Sequence, residues 1–409
     1  MPVKVVFLNV GQGDCTLMTF YEPGAAKAHA AVLLDCGSKP GGEVAPRESA
    51  GASATGDAKR RMTEHVKREI DKCLMDLKNP GVLDYLIISH PDEDHFNLLE
   101  EIFLDSEHQL RYSVKNVWHS MSSVDYKEER SEVRFVETLL DDPNSLASPD
   151  HSVESDPVLK PTQGDPEMLF PNLPGTPNLY HLNAGGALPS SRDSATRTKY
   201  VHSAKEKIAN LNSLVFLVTG APDGNGQRQK VLLMADALKV NEECLIKNDS
   251  NGLLKREKNL WLKVGHHGSK TSTCKAWLDY VTPDGLFVST GKVIFAGKSA
   301  TCTDSNFNAE LLKNWEDVRT RHNIPEPKVT SQKKPLKRHW DYTYQNNTAA
   351  LSGFVNRDAT GKGVFSTFGG ERFATGKATT EWTGRDWILW IDRAPDGSYK
   401  PGAYEISYQ

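Results

Sequence analysis

Six residues, His90-Pro91-Asp92-Glu93-Asp94-His95, hold two imidazoles and three carboxylates directly behind the apolar run from Val82 to Ser89. In a turn leaving a strand, the alternate pair His90 and Asp92 can converge on one point. The adjacent pair Asp94 and His95 then faces a second point about 3.5 to 4 Å away, the separation found in two-metal hydrolytic sites. The spacing fits two cations better than one, with Glu93 as a spacer. Imidazole mixed with carboxylate suits zinc, manganese or iron, and the lack of thiolates nearby argues against a closed structural zinc site. A polar loop with incidental histidines is the competing reading; the crowding of ligand types behind a buried strand weighs against it.

Two more apolar runs end in the same chemistry. Asp236 closes "KVLLMAD", where a single carboxylate can bridge two cations, and His266-His267-Gly268-Ser269 closes "LWLKVG", where one histidine of the pair is expected to ligate. Taken singly, each is an ordinary turn or loop residue. Three apolar runs that all terminate in His or Asp follow the rule that catalytic groups gather where a rigid scaffold ends.

The elements that must hold these residues can be read along the chain. "VKVVFLNV", "CTLMTF" and "AVLLDCG" are short strand signals closed by Gly or Asp. A Gly, Pro, Ala and Ser-rich loop follows from Ser38 to Thr55. Met62, Val66, Ile70, Leu74 and Leu77 then recur at helical spacing and predict an amphipathic helix over Asp57 to Leu77, with a solvated charged face. "VLDYLIIS" is apolar almost throughout, as a strand covered on both faces should be. "FNLLEEIFL" reads as a helix, "VKNVWHS" as the next strand, and Lys127 to Leu140 as a helix. From Asp141 to about Ala195 the composition is that of an insertion or long loop. "NSLVFLVTG" and "QKVLLMADA" flank the turn "APDGNGQ" and predict a hairpin. "LWLKVG", the helical "CKAWLDYV" and the strand "DGLFVST" come next. Beyond Gly297 stand a helix, "NAELLKNWEDVRTR", a basic stretch from Lys328 to His339, and aromatic strand-like segments including "EWTGRDWILWI".

Composition bounds the class. A chain of 409 residues with 38% apolar and 25% charged residues reads as globular, either as one large domain with insertions or as two domains. No apolar run is long enough to span a membrane, and the start lacks a signal-peptide pattern, which predicts a cytoplasmic protein. The six cysteines form no CxxC pair and are read as reduced thiols. A net charge of −4 gives no global pull toward nucleic acid, although a local basic patch could.

Together, "NVGQGDCTLM", "LLDCG", "SHPDEDH", "NLNSLVFLVTG", "VLLMADA" and "KVGHHGSKTS" resemble the metallo-β-lactamase superfamily, and within it the branch typified by the hydrolase domain of ComEC-like DNA-uptake proteins. The blocks keep the family's order over residues 5 to 295. The resemblance implies an α/β fold, a four-layer αββα sandwich, with a hydrolase domain over 1–296, insertions at about 39–78 and 141–200, and a C-terminal extension over 297–409. It implies that His90 and Asp92 hold one divalent metal ion and Asp94 and His95 the other, with Asp236 bridging and His266 or His267 completing the second site. Catalysis would centre on Asp94, His95 and Asp236, with zinc or manganese as the two ions. Asp92 stands where the superfamily commonly has histidine, which hardens the site and favours manganese. Asn212-Ser213 stands where many relatives have another histidine, so the first metal is short of a protein ligand; water, substrate, His119 or His181 could fill the gap. Asp14 and Asp35 are expected to brace the ligands from behind, since ligating imidazoles usually donate their other N–H to an acceptor. Asn212, Ser213, Ser269 and Lys270 are candidates to contact an anionic substrate.

Two cations held this way activate water and stabilise the spread negative charge of a phosphodiester transition state, and the resemblance points the same way, to a nuclease or phosphodiesterase. The Lys328 to His339 stretch, followed by Trp340, Tyr342 and Tyr344, combines cations with stacking rings and is a candidate nucleic-acid contact. The rivals are a hydrolase of a small ester, lactone or phosphocholine-type substrate and a non-catalytic member that only binds metal or nucleic acid. No membrane association is expected. The sequence gives neither protein partners nor oligomeric state.

Overall fold

A strand buried on both faces alternates its side chains between two apolar layers, and the central strands of this chain do so. The computed structural model describes residues 2–10, 13–22, 24–38, 53–126, 134–160, 165–170, 178–182, 206–255, 259–269, 271–289, 309–325, 327, 341–344, 364–366, 372–374, 380–383, 386–394 and 398–408. In chain order the strands are β1 (Val3–Phe7), β2 (Cys15–Tyr21), β3 (Ala28–Cys36), β4 (Val82–Ile88), β5 (Ser113–His119), β6 (Val158–Leu159), β7 (Glu167–Met168), β8 (Asn178–Leu182), β9 (Val215–Pro222), β10 (Arg228–Leu233), β11 (Leu260–Lys263), β12 (Gly285–Val288), β13 (Asp341–Tyr344), β14 (Val364–Ser366), β15 (Arg372–Ala374), β16 (Thr380–Thr383), β17 (Trp387–Arg393) and β18 (Tyr399–Tyr408). One sheet has the order β18-β17-β1-β2-β3-β4-β5-β6 and a second β14-β12-β11-β10-β9-β8-β7; β13, β16 and β15 form a small third sheet.

The two large sheets lie face to face. Val3, Val5 and Phe7 of β1, Ile87 of β4, Val231 and Leu233 of β10, Trp261 of β11 and Phe287 of β12 share one buried layer between them. Phe7 stacks on Phe287 across the gap with ring centroids 4.3 Å apart, and Trp261 meets Tyr404 of β18 at 4.8 Å. The opposite faces meet helices. Leu86 and Ile88 pack with Val66 and Ile70 of the helix Ser53–Met75 and with Leu99 and Ile102 of the helix Leu99–Phe103; Leu232, Leu262 and Leu286 pack with Trp277 and Leu278 of Lys275–Val281 and Trp315 of Ala309–His322. The architecture is a four-layer αββα sandwich, as the resemblance implies.

Parallel pairing brings the chemistry to one edge. β3, β4 and β5 are parallel neighbours, as are β10, β11 and β12, so their carboxyl ends align within each sheet. The β9–β10 hairpin forms with Leu217 opposite Leu232.

Some expectations need adjustment. The predicted helix over Asp57 to Leu77 runs Ser53–Met75, and its polar face is not simply solvated: His65 is buried against Asp386, Nε2 to Oδ2 2.9 Å. The expected helix from Lys127 is Phe135–Asp141 among the described residues. The stretch from Asp141, expected to be loop, supplies β6, β7 and β8; strands of two to five residues are too short to show periodicity. Residues beyond 297 supply strands to both large sheets, β17 pairing with β1 from Val3↔Ile391 to Phe7↔Trp387 and β14 with β12. Residues 328–340 lie outside the described residues, and so does the expectation of a basic nucleic-acid contact there.

Candidate metal centre

Three loops converge at the aligned strand ends. β4 delivers Ser89 and His90, after which Asp92 starts a single 3-10 turn, Glu93–His95. β10 delivers Asp236 through Ala235, and β11 delivers His266 and His267. Ala235, His266 and His267 adopt left-handed φ values of 45°, 44° and 51°, and Asp35, near the end of β3, is at 57°. Such a conformation costs a non-glycine residue about 1 to 3 kcal/mol and persists only where the surroundings enforce it. Here the loops enforce it on one another: the His266 N–H donates to the Ala235 carbonyl at 2.9 Å, and a Cβ on Gly265 would stand 2.5 Å from the Ala237 oxygen.

Each of the four histidines has its Nδ1 engaged from behind. His90 Nδ1 lies 3.0 Å from Ser89 Oγ, His95 Nδ1 2.8 Å from Asp35 Oδ2, His266 Nδ1 2.7 Å from Thr271 Oγ1, and His267 Nδ1 2.8 Å from the Ser289 carbonyl. Their Nε2 atoms turn toward Asp236. Asp236 Oδ1 is 3.3 Å from His95 and 3.6 Å from His267, and Oδ2 is 3.9 Å from His90 and 3.7 Å from His266. Asp92 lies 3.5 Å from His90 Nε2, and Asp94 Oδ2 3.4 Å from His267 Nε2. The Nε2 atoms of His90, His95 and His267, with Asp94 Oδ2 and Asp236 Oδ1, are buried and have no hydrogen-bond partner among the described residues. Buried polar atoms left this way are costly unless a ligand takes them, and nitrogen and carboxylate oxygen are the donors a divalent cation wants. His90, His95 and Asp236, and separately Asp94, His95 and His267, are spaced to hold a metal ion. The residues present fit the ions that the resemblance implies.

The early glycine motifs form the floor. Ser89 N–H and Oγ–H donate to Asp35 at 2.7 Å each, so one carboxylate holds both Ser89 and His95. Gly13 and Gly37 let backbone approach the 3-10 turn: Asp14 N–H donates to the Asp94 carbonyl at 3.0 Å, and a Cβ on Gly37 would sit 2.4 Å from the Asp94 carbonyl carbon. Asp14 also pairs with Lys263, which points from β11 into the same buried layer as Trp261. Lys263 carried no expectation from sequence, because a lysine after an apolar run looks like a strand end.

Electrostatics follow from this packing. Burial opposes charge on Asp236, yet His267, His95 and His266 outweigh it and hold its carboxyl well below the usual range. Burial likewise works against Asp94, and the approach of His267 brings its pKa down to about 2. For His95 burial disfavours the imidazolium, but Asp236 and Asp35 push its pKa well above the ordinary value; for His267 burial is likewise overcome, chiefly by Asp236, and the pKa rises to about 9. Without cations, protons occupy the place that cations would take. The centre opens on one side, since the Asp92 and His266 side chains are 30% and 20% exposed while those of His90, His95, His267 and Asp236 are almost fully buried.

The candidate substrate contacts sit differently. Asn212 donates its side-chain amide to the Ile208 carbonyl at 2.8 Å and closes the helix Glu206–Leu211. Ser213 is buried, with no hydrogen-bond partner for its Oγ among the described residues. Ser269 Oγ lies 3.0 Å from Thr271 Oγ1. Lys270 lies outside the described residues. Asn210, not singled out from sequence, reaches His266 Nε2 at 3.3 Å. Neither histidine suggested for the gap at the first metal comes with the ligands: His119 Nδ1 donates to the Met121 carbonyl at 3.0 Å, and His181 packs against the rings of Trp118 and Phe216.

No model of a protein family matches the chain, and no curated protein sequence does. Solved structures similar to it include unliganded yeast PDE1, 10% identical over 80% of this chain and 96% of that one with a TM-score of 0.36. The short form of human tRNase Z is 12% identical over 71% and 93%, with a TM-score of 0.34. Rm3 metallo-β-lactamase is 13% identical over 63% and 76%, with a TM-score of 0.26. Likenesses this distant assign no function to the chain.

Proposed function

We propose that this chain is a metal-dependent phosphodiesterase, a nuclease of the metallo-β-lactamase superfamily similar to its ComEC-like branch, working with two divalent cations, manganese or zinc. The observation that carries the reading is the ring of buried donor atoms, without hydrogen-bond partners among the described residues, around the two oxygens of Asp236. Charge supports two ions: Asp14, Asp35, Asp92, Asp94 and Asp236 against Lys263 leave four negative charges, which two divalent cations neutralise.

In this reading His90, Asp92 and Asp236 serve one cation and Asp94, His95, His267 and Asp236 the other. When bound, the ions would supply Lewis-acid polarisation of a phosphoryl oxygen and a water of lowered pKa. The chain's own part is placement. Asp35 and Ser289 hold His95 and His267 in one ring orientation, Asp236 presents an oxygen to each side, and the dry floor strengthens every electrostatic contact above it. Substrate would enter on the Asp92 and His266 side; Ser213, Ser269 and Lys270 are candidates for contact by their position in the sequence alone. No described helix is long and apolar enough to cross a membrane; a cytoplasmic location belongs to the proposal and draws on the scattered cysteines.

The test is incubation of the full chain and a D94A/H95A control with manganese and labelled single- and double-stranded DNA and RNA, beside a chromogenic ester and a lactone. The expected result is cleavage of at least one nucleic acid by the wild type and none by the control. Hydrolysis of ester or lactone alone would transfer the site to the small-substrate alternative. Metal uptake without any hydrolysis would leave a binding protein.

A further inference from the structure

The first cation is the one short of a protein ligand in sequence, and the structure holds a side chain on its side of Asp236. His266 and His267 are neighbours that turn to opposite oxygens of the same carboxylate. His267 Nε2 faces Oδ1, the oxygen that also faces His95; His266 Nε2 faces Oδ2 at 3.7 Å, the oxygen that also faces His90. We infer that His266 ligates the first cation and His267 the second, so that the adjacent pair splits between the two sites and His266 takes the place left by Asn212.

Three observations converge on this assignment. The backbone allows it: His266 and His267 are successive left-handed residues, φ 44° and 51°, and their Nε2 atoms meet different oxygens of Asp236. The ring is set for it as well. His266 Nδ1 meets Thr271 Oγ1 at 2.7 Å, the same rear engagement that His90, His95 and His267 have, which leaves Nε2 as the forward nitrogen. The Asn210 amide donates to Nε2 at 3.3 Å, which places the ring proton on Nδ1, toward Thr271; a cation would take the Nε2 lone pair in place of that amide. Finally, the count becomes even. His90, Asp92, Asp236 and His266 stand on one side and Asp94, His95, Asp236 and His267 on the other, four protein donors each with Asp236 shared.

This inference rests on the two-cation reading above, and the experiment separates the two. The full-length chain, metal-stripped and then dialysed against manganese or zinc, would be analysed for bound metal per chain and titrated calorimetrically, as wild type, H266A, H266Q and H267A. Two ions are expected on wild type. H266A and H267A are each expected to lose one ion while keeping the other, with the affinity of the lost ion falling by more than the roughly 10- to 100-fold typical of an outer-sphere partner. H266Q keeps a polar side chain beside Thr271 and guards against a folding defect; it should also lose one ion at an unchanged melting profile of the metal-free protein. Two ions of unchanged affinity on H266Q would overturn the assignment and leave the two-cation reading standing. A wild type that takes up no metal would overturn that reading, and this inference with it.

Discussion

Asp236 is the residue on which the centre turns, because its two oxygens face two sets of imidazoles. The metal-free site holds protons instead: His95 is raised well above its ordinary pKa, and His267 to about 9, so both are charged at pH 7. Ligation needs neutral imidazole, so metal uptake at pH 7 should expel about two protons per chain, and affinity should rise with pH up to about 9. Calorimetry in buffers of different ionisation enthalpy would read this directly; heats independent of buffer would count against it. At this scale the sequence was informative where ligand types cluster, as in His90 to His95. It was silent on Asn210 and Lys263, whose partners lie 56 and 249 positions away and belong to tertiary packing, and on Thr271, which reaches His266 within an irregular loop that leaves no periodic pattern. Asn212 looked like a site residue by its place in a motif, but a helix end uses its amide.

Among the elements, the two glycine motifs and the loop after β11 matter most. Gly37 lies against the turn that carries Asp94 and His95, and an added Cβ would stand 2.4 Å from that backbone. Gly37→Ala should therefore destabilise the fold by about 1 to 3 kcal/mol, the usual cost of overpacking, and weaken metal uptake, by denaturant melts and dialysis. Unchanged stability and uptake would refute the floor described for the site. On the far side of that loop, Glu242 accepts from the backbone N–H groups of Thr273 and Cys274, and burial pushes its pKa up to about 7 from an ordinary 4.5. A raised carboxyl pKa means the folded state holds its proton more tightly. Its stabilisation is complete below about pH 4.5 and is lost as pH rises to about 7, on the order of 3 kcal/mol across that window. Glu242→Gln cannot titrate, so wild type should lose ground to it over pH 4.5 to 7; parallel stability curves would contradict the shift. The long apolar strands were legible because buried runs and turns leave strong patterns. β6 and β7, two residues each, left none.

For the molecule as a whole, the sandwich was legible through the order of the motif blocks more than through periodicity, since the strand pattern alone is compatible with other layered folds. What the sequence could not show was that the C-terminal stretch completes both sheets, with β17 beside β1 across at least 380 positions and β14 beside β12 across 78, because pairing at such separations has no local signature. The fold brings parallel strands of both sheets to one edge, and two cations bridged by Asp236 are the central claim about that edge. It is tested most directly by titrating metal-stripped protein with manganese and following cleavage of a labelled nucleic acid under single-turnover conditions. Two cooperating ions predict that cleavage stays near background through the first equivalent and rises with the second. Full cleavage at one equivalent, or none at any loading, would contradict it.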